Sequence, residues 1–281
     1  MSSITEVRPS PIAGTWYQSN PEILSRMVDG FINHATLPEL QGEPVAVIAP
    51  HAGHIYSGPV AGFAFAAVRN LAPEVVAVVS PMHHAYPYSL MTTAHAAYGT
   101  PLGTLPVHHD LAHELNRTLK QRLGFGLTPV ANDPEHSLEI ELPFLQRAIK
   151  SDFWLLPIMV RTQDRKTCHA LGEALSETLT GKNALLVASS DLSHFHNAET
   201  AQRLDHAMLE QVEAFSPEGL FEVEEQGKGE ACGLGAMAAV LWAAKALGGQ
   251  MVKVLHYATS GNVTGDMRSV VGYGAAVVLR K

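Results

Sequence analysis

Cysteine is scarce in this chain: Cys168 and Cys232 are the two thiols in 281 residues. Two distant cysteines give neither a disulfide framework nor a CxxC zinc knuckle, so a reducing, cytoplasmic compartment is the expectation. Basic charge is also short, with 19 Lys and Arg against 27 Asp and Glu, a formal charge of -8 and a pI near 6.0. That balance argues against attraction to nucleic acid or to an anionic membrane surface. Long apolar runs are missing. The opening MSSITEVRPSPIAG has no apolar signal core, and the most apolar helical stretch, 231–248, is short and interrupted by Lys245. No GxxxxGKS or GxGxxG motif opens a helix after a strand, which leaves nucleotide binding without support. The expected partner is a small molecule, with no nucleic acid and no membrane.

Histidine, by contrast, is abundant, with 15 copies and the close pairs His83/His84, His108/His109 and His194/His196. Most are expected to be ordinary surface or core-edge residues, since an imidazole there needs only one hydrogen-bond partner. Position has to select the others.

Apolar runs of strand length alternate with stretches of helical period. Strands are predicted at 45–49, 75–80, 90–94, 153–160, 183–190, 251–259 and 272–280, and helices near 57–70, 108–123, 164–179, 197–214 and 232–247. The segment EHSLEIELPFLQRAIK, 135–150, reads as an amphipathic helix with His136 at its start. Alternation of this kind implies an α/β fold, one αβα domain over residues 1–281 whose central sheet is buried on both faces, with 1–40 packing across the outside.

His51 ends VAVIAPHAG and His83 lies at the end of EVVAVVSPMHH. Strand ends are where α/β sheets hold their ligands, and neutral imidazole is the commonest protein ligand of transition metals. APHAGHIYSG, SPMHH, SSDLSHFH and EACGLG each adjoin a core element and are expected to converge at one edge of the sheet. Two histidines and one anionic residue would make a three-ligand face with open positions for substrate or dioxygen. The anionic residue stays open at this point. Glu230 is the ordinary carboxylate choice, whereas Cys232 sits at a Gly-flanked helix start, where the dipole favours thiolate; a small buried hydrophobe is the other reading of Cys232. Cys168 reads as an ordinary helix residue. His194 follows Asp191 by three residues, so on a tight turn the carboxylate can orient the imidazole for proton transfer, although a capping Asp and a surface His account for the same spacing. Ser189, Ser190, Asp191 and His194 also admit a serine hydrolase, but no GxSxG elbow accompanies them.

Several segments resemble one known family. AGTWY at 13–17, APHAG with YSG at 49–58, SPMHH, EHSLEIELPF at 135–144, SSDLSHF at 189–195 and ACG at 231–233 are similar to the Memo-like (mediator of cell motility) proteins, whose bacterial members include AmmeMemoRadiSam system protein B. The resemblance covers nearly the whole chain. The family in turn resembles class III extradiol ring-cleaving dioxygenases, non-haem Fe(II) enzymes, which again implies an αβα domain. Those dioxygenases hold iron by two His and one Glu, whereas Memo-like proteins place Cys third, so the resemblance implies His51, His83 and Cys232 as metal ligands. It further implies His194 as the acid/base histidine, Asp191 as a pocket aspartate and His136 as a second pocket histidine. Tyr56, His84 and Ser190, in the same segments, are expected to face the substrate.

Thiolate in place of carboxylate changes the electronic character of a metal, so ring cleavage is not inherited with the fold. The leading expectation is a mononuclear non-haem Fe(II), oxygenase-like oxidoreductase acting on a small phenolic or aromatic substrate. One alternative is a noncatalytic iron- or Cu(I)-binding redox or ligand-binding module, a partner of a radical enzyme of the same system. Phosphopeptide binding, described for other members, ranks lower in a chain with few Lys or Arg at the cleft. A Zn(II)-dependent hydrolase is the third reading.

Overall fold

The structure, a computed structural model, describes residues 6–281. The chain opens with β1 (Val7–Arg8), α1 (Pro21–His34), β2 (Glu43–Ala49), α2 (His54–Ala67) and β3 (Val75–Pro81). It continues through β4 (Leu90–Thr93), β5 (Ala97–Thr100), β6 (Gly103–Pro106), α3 (His109–Leu123), β7 (Leu127–Val130), α4 (Leu142–Ala148) and β8 (Trp154–Val160). The last part holds α5 (Arg165–Leu179), β9 (Ala184–Ser189), β10 (His194–His196), α6 (Ala198–Glu213), α7 (Pro217–Glu225), α8 (Leu234–Ala246), β11 (Met251–Thr259), α9 (Gly261–Thr264) and β12 (Val270–Arg280).

Nine of these strands form one mixed sheet in the order β10-β12-β2-β9-β3-β8-β4-β7, with β11 on the outside of β12. Its centre is parallel: β2 pairs with β9, β9 with β3, and β3 with β8. Parallel strands need crossover helices, and these cover both faces, which is why the central strands read as unbroken apolar runs. On one face Ala46, Ile48, Ala77 and Val79 pack under α3 and α5 to α8; on the other Val47, Ala49, Val76 and Val78 pack under α1, α2 and α4. The αβα layering expected from the sequence is the architecture found. No helix among the described residues is long and apolar enough to cross a membrane.

The helix expected over 135–150 is shorter. Residues Glu139–Glu141 make a single 3₁₀ turn and α4 runs Leu142–Ala148. Upstream, the Glu135 carboxylate accepts the backbone N–H groups of His136 and Ser137, a local alternative to helical pairing that leaves His136 outside any helix. A small second sheet, β1-β5-β6, was not expected. It lies beside Arg8, which is buried against Asp133 and Glu139. α1 buries Leu24, Val28 and Ile32 next to α2 and α4.

Candidate metal centre

β2, β9 and β3 are adjacent and parallel, so their carboxyl ends open on one edge, and the loops that follow deliver His51, Ser189–His194 and His83 to the same place. Ring nitrogens of His51, His83 and His136 all lie within 4.8 Å of one another. The His83 and His136 rings stack at 4.7 Å between centroids, and His51 meets both edge-on at 5.3 and 5.5 Å.

Two of the three rings, His51 and His83, are held by Nδ1. His83 Nδ1 lies 2.9 Å from Glu135 Oε1, and the His83 backbone N–H donates to Oε2 of the same carboxylate. His136 Nδ1 is 3.2 Å from Glu135 Oε1. His51 Nδ1 is 2.9 Å from Ser189 Oγ, which in turn touches Glu141 Oε1 and the Ser137 carbonyl, both at 2.7 Å. With Nδ1 engaged on His51 and His83, Nε2 is the nitrogen left on each for a ligand, which is the arrangement that fixes tautomer and aim in metal-binding histidines.

The electrostatics favour neutral imidazoles, the form that binds metal. Burial holds His51 well below its ordinary range, and His136 and His83 beside it add to the effect. Burial likewise brings His136 down to about 4, against the pull of the Glu135 carboxylate. Burial alone would raise Glu135, but its bonds from His83 and from backbone N–H groups win and keep it ionised, well below the usual carboxylate range.

Cys232 Sγ lies 3.1 Å from His51 Nε2, on the ring nitrogen that faces the cluster. The turn carrying it is pinned twice. Gly233 N–H donates to Ser190 Oγ, and the Gln163 amide donates to the Cys232 carbonyl while accepting from Gly235 N–H. Gly233 has to be glycine here, since a Cβ would sit 2.4 Å from the Ser189 carbonyl oxygen. The expected lowering of the thiol pKa by a helix start is not found: α8 begins two residues later, and burial, with Asp191 adding, pushes the Cys232 thiol well up. Glu230 turns away to β10, accepting from the His194 backbone N–H and pairing with His196 Nε2 at 2.9 Å.

The remaining expected residues divide. Asp191 does not orient His194. Its Oδ1 accepts the backbone N–H groups of His51 and Ala52, and burial, opposed by those bonds, brings its carboxyl up to about 7. His194 Nδ1 sits on the Leu192 carbonyl, and burial lowers the ring's pKa. Ser190 is buried and its hydroxyl donates to the Asp191 carbonyl. Tyr56 and His84 are exposed. Cys168 is the buried helix residue expected.

Sequence reasoning missed Trp16, whose ring stacks on His136 at 4.0 Å. The AGTWY segment is seated by a bond from the His54 backbone N–H to the Trp16 carbonyl. Trp16, Tyr56, Ala52 and Tyr273 line a cleft of about 750 Å³ beside the cluster. A second cavity of about 590 Å³ lies at the opposite end of the sheet, near Glu43 and Asn183, away from the histidines.

Comparison with known proteins agrees with this geometry. A family model described as Memo-like protein matches residues 8–277. A MEMO1 family protein of Nitrosopumilus maritimus is 34% identical over 273 residues, covering 96% of this chain and 98% of its own. Another, from Methanopyrus kandleri, is 34% identical over 284 residues, covering 98% and 99%. Among solved structures, an uncharacterized protein from Escherichia coli K12 matches in fold alone, at a TM-score of 0.50 and 14% identity, over 83% of this chain and 98% of that one. With a matched span that includes every element of the histidine cluster, this chain belongs to the Memo-like protein family.

Proposed function

We propose that the chain is a mononuclear non-haem Fe(II) protein that acts as an oxygenase-like oxidoreductase on a small phenolic or aromatic substrate. The observation that carries this reading is the convergence of three imidazoles, two of them held by Nδ1, at the open ends of three parallel strands. His51 and His83 are the proposed ligands, with the Cys232 thiol beside His51 as the third and His136 available at the same cluster. When bound, Fe(II) would supply adjacent open positions for substrate and dioxygen and a redox centre through which electrons pass from the substrate to dioxygen, the oxidant.

The chain's own residues set the rest. His194, with Nδ1 on the Leu192 carbonyl, keeps Nε2 available to take a proton from a substrate hydroxyl. Trp16, Tyr56 and Tyr273 offer aromatic surface in the neighbouring cleft, whose lining includes Asp266 but no Lys or Arg. Such a lining suits a neutral ring better than a phosphorylated peptide.

The test is oxygen uptake by protein reconstituted with Fe(II), assayed with a panel of phenols. Loss in His51→Ala and retention in the surface control His169→Ala is the expected pattern; equal uptake in the two sinks the reading. Co(II) substitution checks the third ligand, since thiolate ligation gives a strong near-ultraviolet band that Cys232→Ser removes. A second reading, a noncatalytic metal-handling module, is favoured by the soft thiol 3.1 Å from an imidazole, a donor pair that suits Cu(I). It predicts ready metal exchange and no turnover with any phenol. Turnover that survives without oxygen would instead point to Zn(II) hydrolysis.

A further inference from the structure

The motif EHSLEIELPF contributes three buried acids, and two of them have evident partners. Glu135 holds His83, and Glu139 pairs with Arg8. Glu141 has no such cation among the described residues, and its side chain is fully buried. Oε1 touches Ser189 Oγ at 2.7 Å, while Oε2 is buried with no hydrogen-bond partner. A carboxylate in that position would leave a charged oxygen unpaired in a dry interior, a cost of several kcal/mol. The neutral acid leaves only a carbonyl oxygen bare. Burial pushes the Glu141 pKa well up, the Ser189 bond opposes this, and the neighbouring Asp191 adds to the rise.

The hydrogens around Ser189 can then be counted. Its Oγ has three neighbours: the Ser137 carbonyl, Glu141 Oε1 and His51 Nδ1. The carbonyl can only accept, so pairing all three neighbours at once sends the single hydroxyl proton there. Glu141 and His51 must both donate, which requires a carboxylic acid on one and an Nδ1–H on the other. His51 Nε2 is then bare where the Cys232 thiol and the cluster centre meet it.

We infer that Glu141 is a positioning residue that acts through Ser189 on His51 as an uncharged carboxylic acid, in contrast to Glu135, which contacts His83 directly. The metal-affinity part of this inference rests on the metal reading above; the hydrogen-bond part does not. Gln is the conservative replacement at both acids, and it separates their roles. Its amide can donate to Ser189 as the acid does, but it cannot replace the charge of Glu135.

Two measurements on the whole chain test this. In metal-free protein near neutral pH, infrared difference spectra should show a protonated-carboxyl C=O band in the wild type that Glu141→Gln removes, and nitrogen NMR should show His51 protonated at Nδ1. Absence of that band, or a His51 ring protonated at Nε2, overturns the inference whether or not metal binds. With Zn(II) as probe, Glu141→Gln should bind within about twofold of wild type, while Ser189→Ala and Glu135→Gln should each bind about 10-fold or more weakly. A Glu141→Gln affinity as low as that of Glu135→Gln would mean that Glu141 acts as a carboxylate, and an unchanged Ser189→Ala affinity would remove the relay. If the wild type binds no Zn(II), the metal reading fails and the infrared and NMR results still decide the hydrogen-bond assignment.

Discussion

His51 and His83 both follow a buried parallel strand and reach the same cluster, but their surroundings differ. His51 is 2% exposed, and a hydroxyl and a neutral acid stand behind its ring. The His83 side chain is about one-third exposed, and an ionised carboxylate backs it directly. The difference follows from position in the sheet. β2 has β12 and β9 on its flanks, so its loop is roofed by the 189–194 segment and the Cys232 turn. The loop after β3 meets the short segment at 135–137, where the Glu135 carboxylate accepts the backbone N–H groups of His83, His136 and Ser137. A buried imidazole is kept neutral by burial itself. An exposed one needs a charged partner to fix its aim, and such a ligand donates more electron density to a metal.

Removing a ring is expected to be the largest intervention. His51→Ala should abolish tight metal binding, measured as metal retained after gel filtration, since it deletes a donor and leaves Ser189 and Cys232 facing a void.

The next effect concerns a histidine in the same segment that is not a ligand. His54 is fully buried, its Nε2–H donates to the Ile140 carbonyl, and Nδ1 has no partner among the described residues. Burial, opposed by the Ile140 bond, lowers its pKa from 6.5 to about 4. The folded pKa is depressed, so the stability it contributes is present above pH 6.5 and is lost as pH falls towards 4. The loss should be about 3 kcal/mol across that window, read from denaturant titrations at several pH values. His54→Gln should flatten that part of the profile. An unchanged profile would show that the acid sensitivity resides elsewhere.

Glu135→Gln comes third. It keeps the shape of the carboxylate but not its charge, and should weaken Zn(II) binding about 10- to 100-fold, measured by chelator competition. Were it harmless, the contrast between a charged and an uncharged support would collapse. The smallest effect is expected from Trp16→Ala, which removes the stack on His136 and should cost about 1 kcal/mol of stability in a thermal melt with metal affinity nearly unchanged. A large loss of affinity would make the stack a part of the metal site.

Much of this was legible in the sequence because the central strands are buried on both faces. VAVIA, VVAVVS and NALLVASS are apolar without alternation, and the residues just beyond them, His51, His83 and Ser189–His194, carry the chemistry. The signal failed where side chains replace backbone pairing. The 135–150 segment has helical spacing at Leu138, Leu142 and Leu145, yet Glu135 diverts the first N–H groups, and that diversion brings His136 into the cluster. The three-residue spacing from Asp191 to His194 is local, whereas the backbone that Asp191 binds, His51 and Ala52, follows β2 and lies far away in sequence. Trp16 lies in the AGTWY motif, but neither it nor Gln163 carried a spacing signal for its contact. Their roles exist only once distant loops meet.

The central claim is that His51, His83 and their neighbours form a metal centre, and metal content tests it most directly. Protein purified and reconstituted with Fe(II) under anaerobic conditions should carry about one iron per chain in the wild type and in His169→Ala, and close to none in His51→Ala and His83→Ala. No iron in the wild type, or equal iron in all four proteins, would contradict the account.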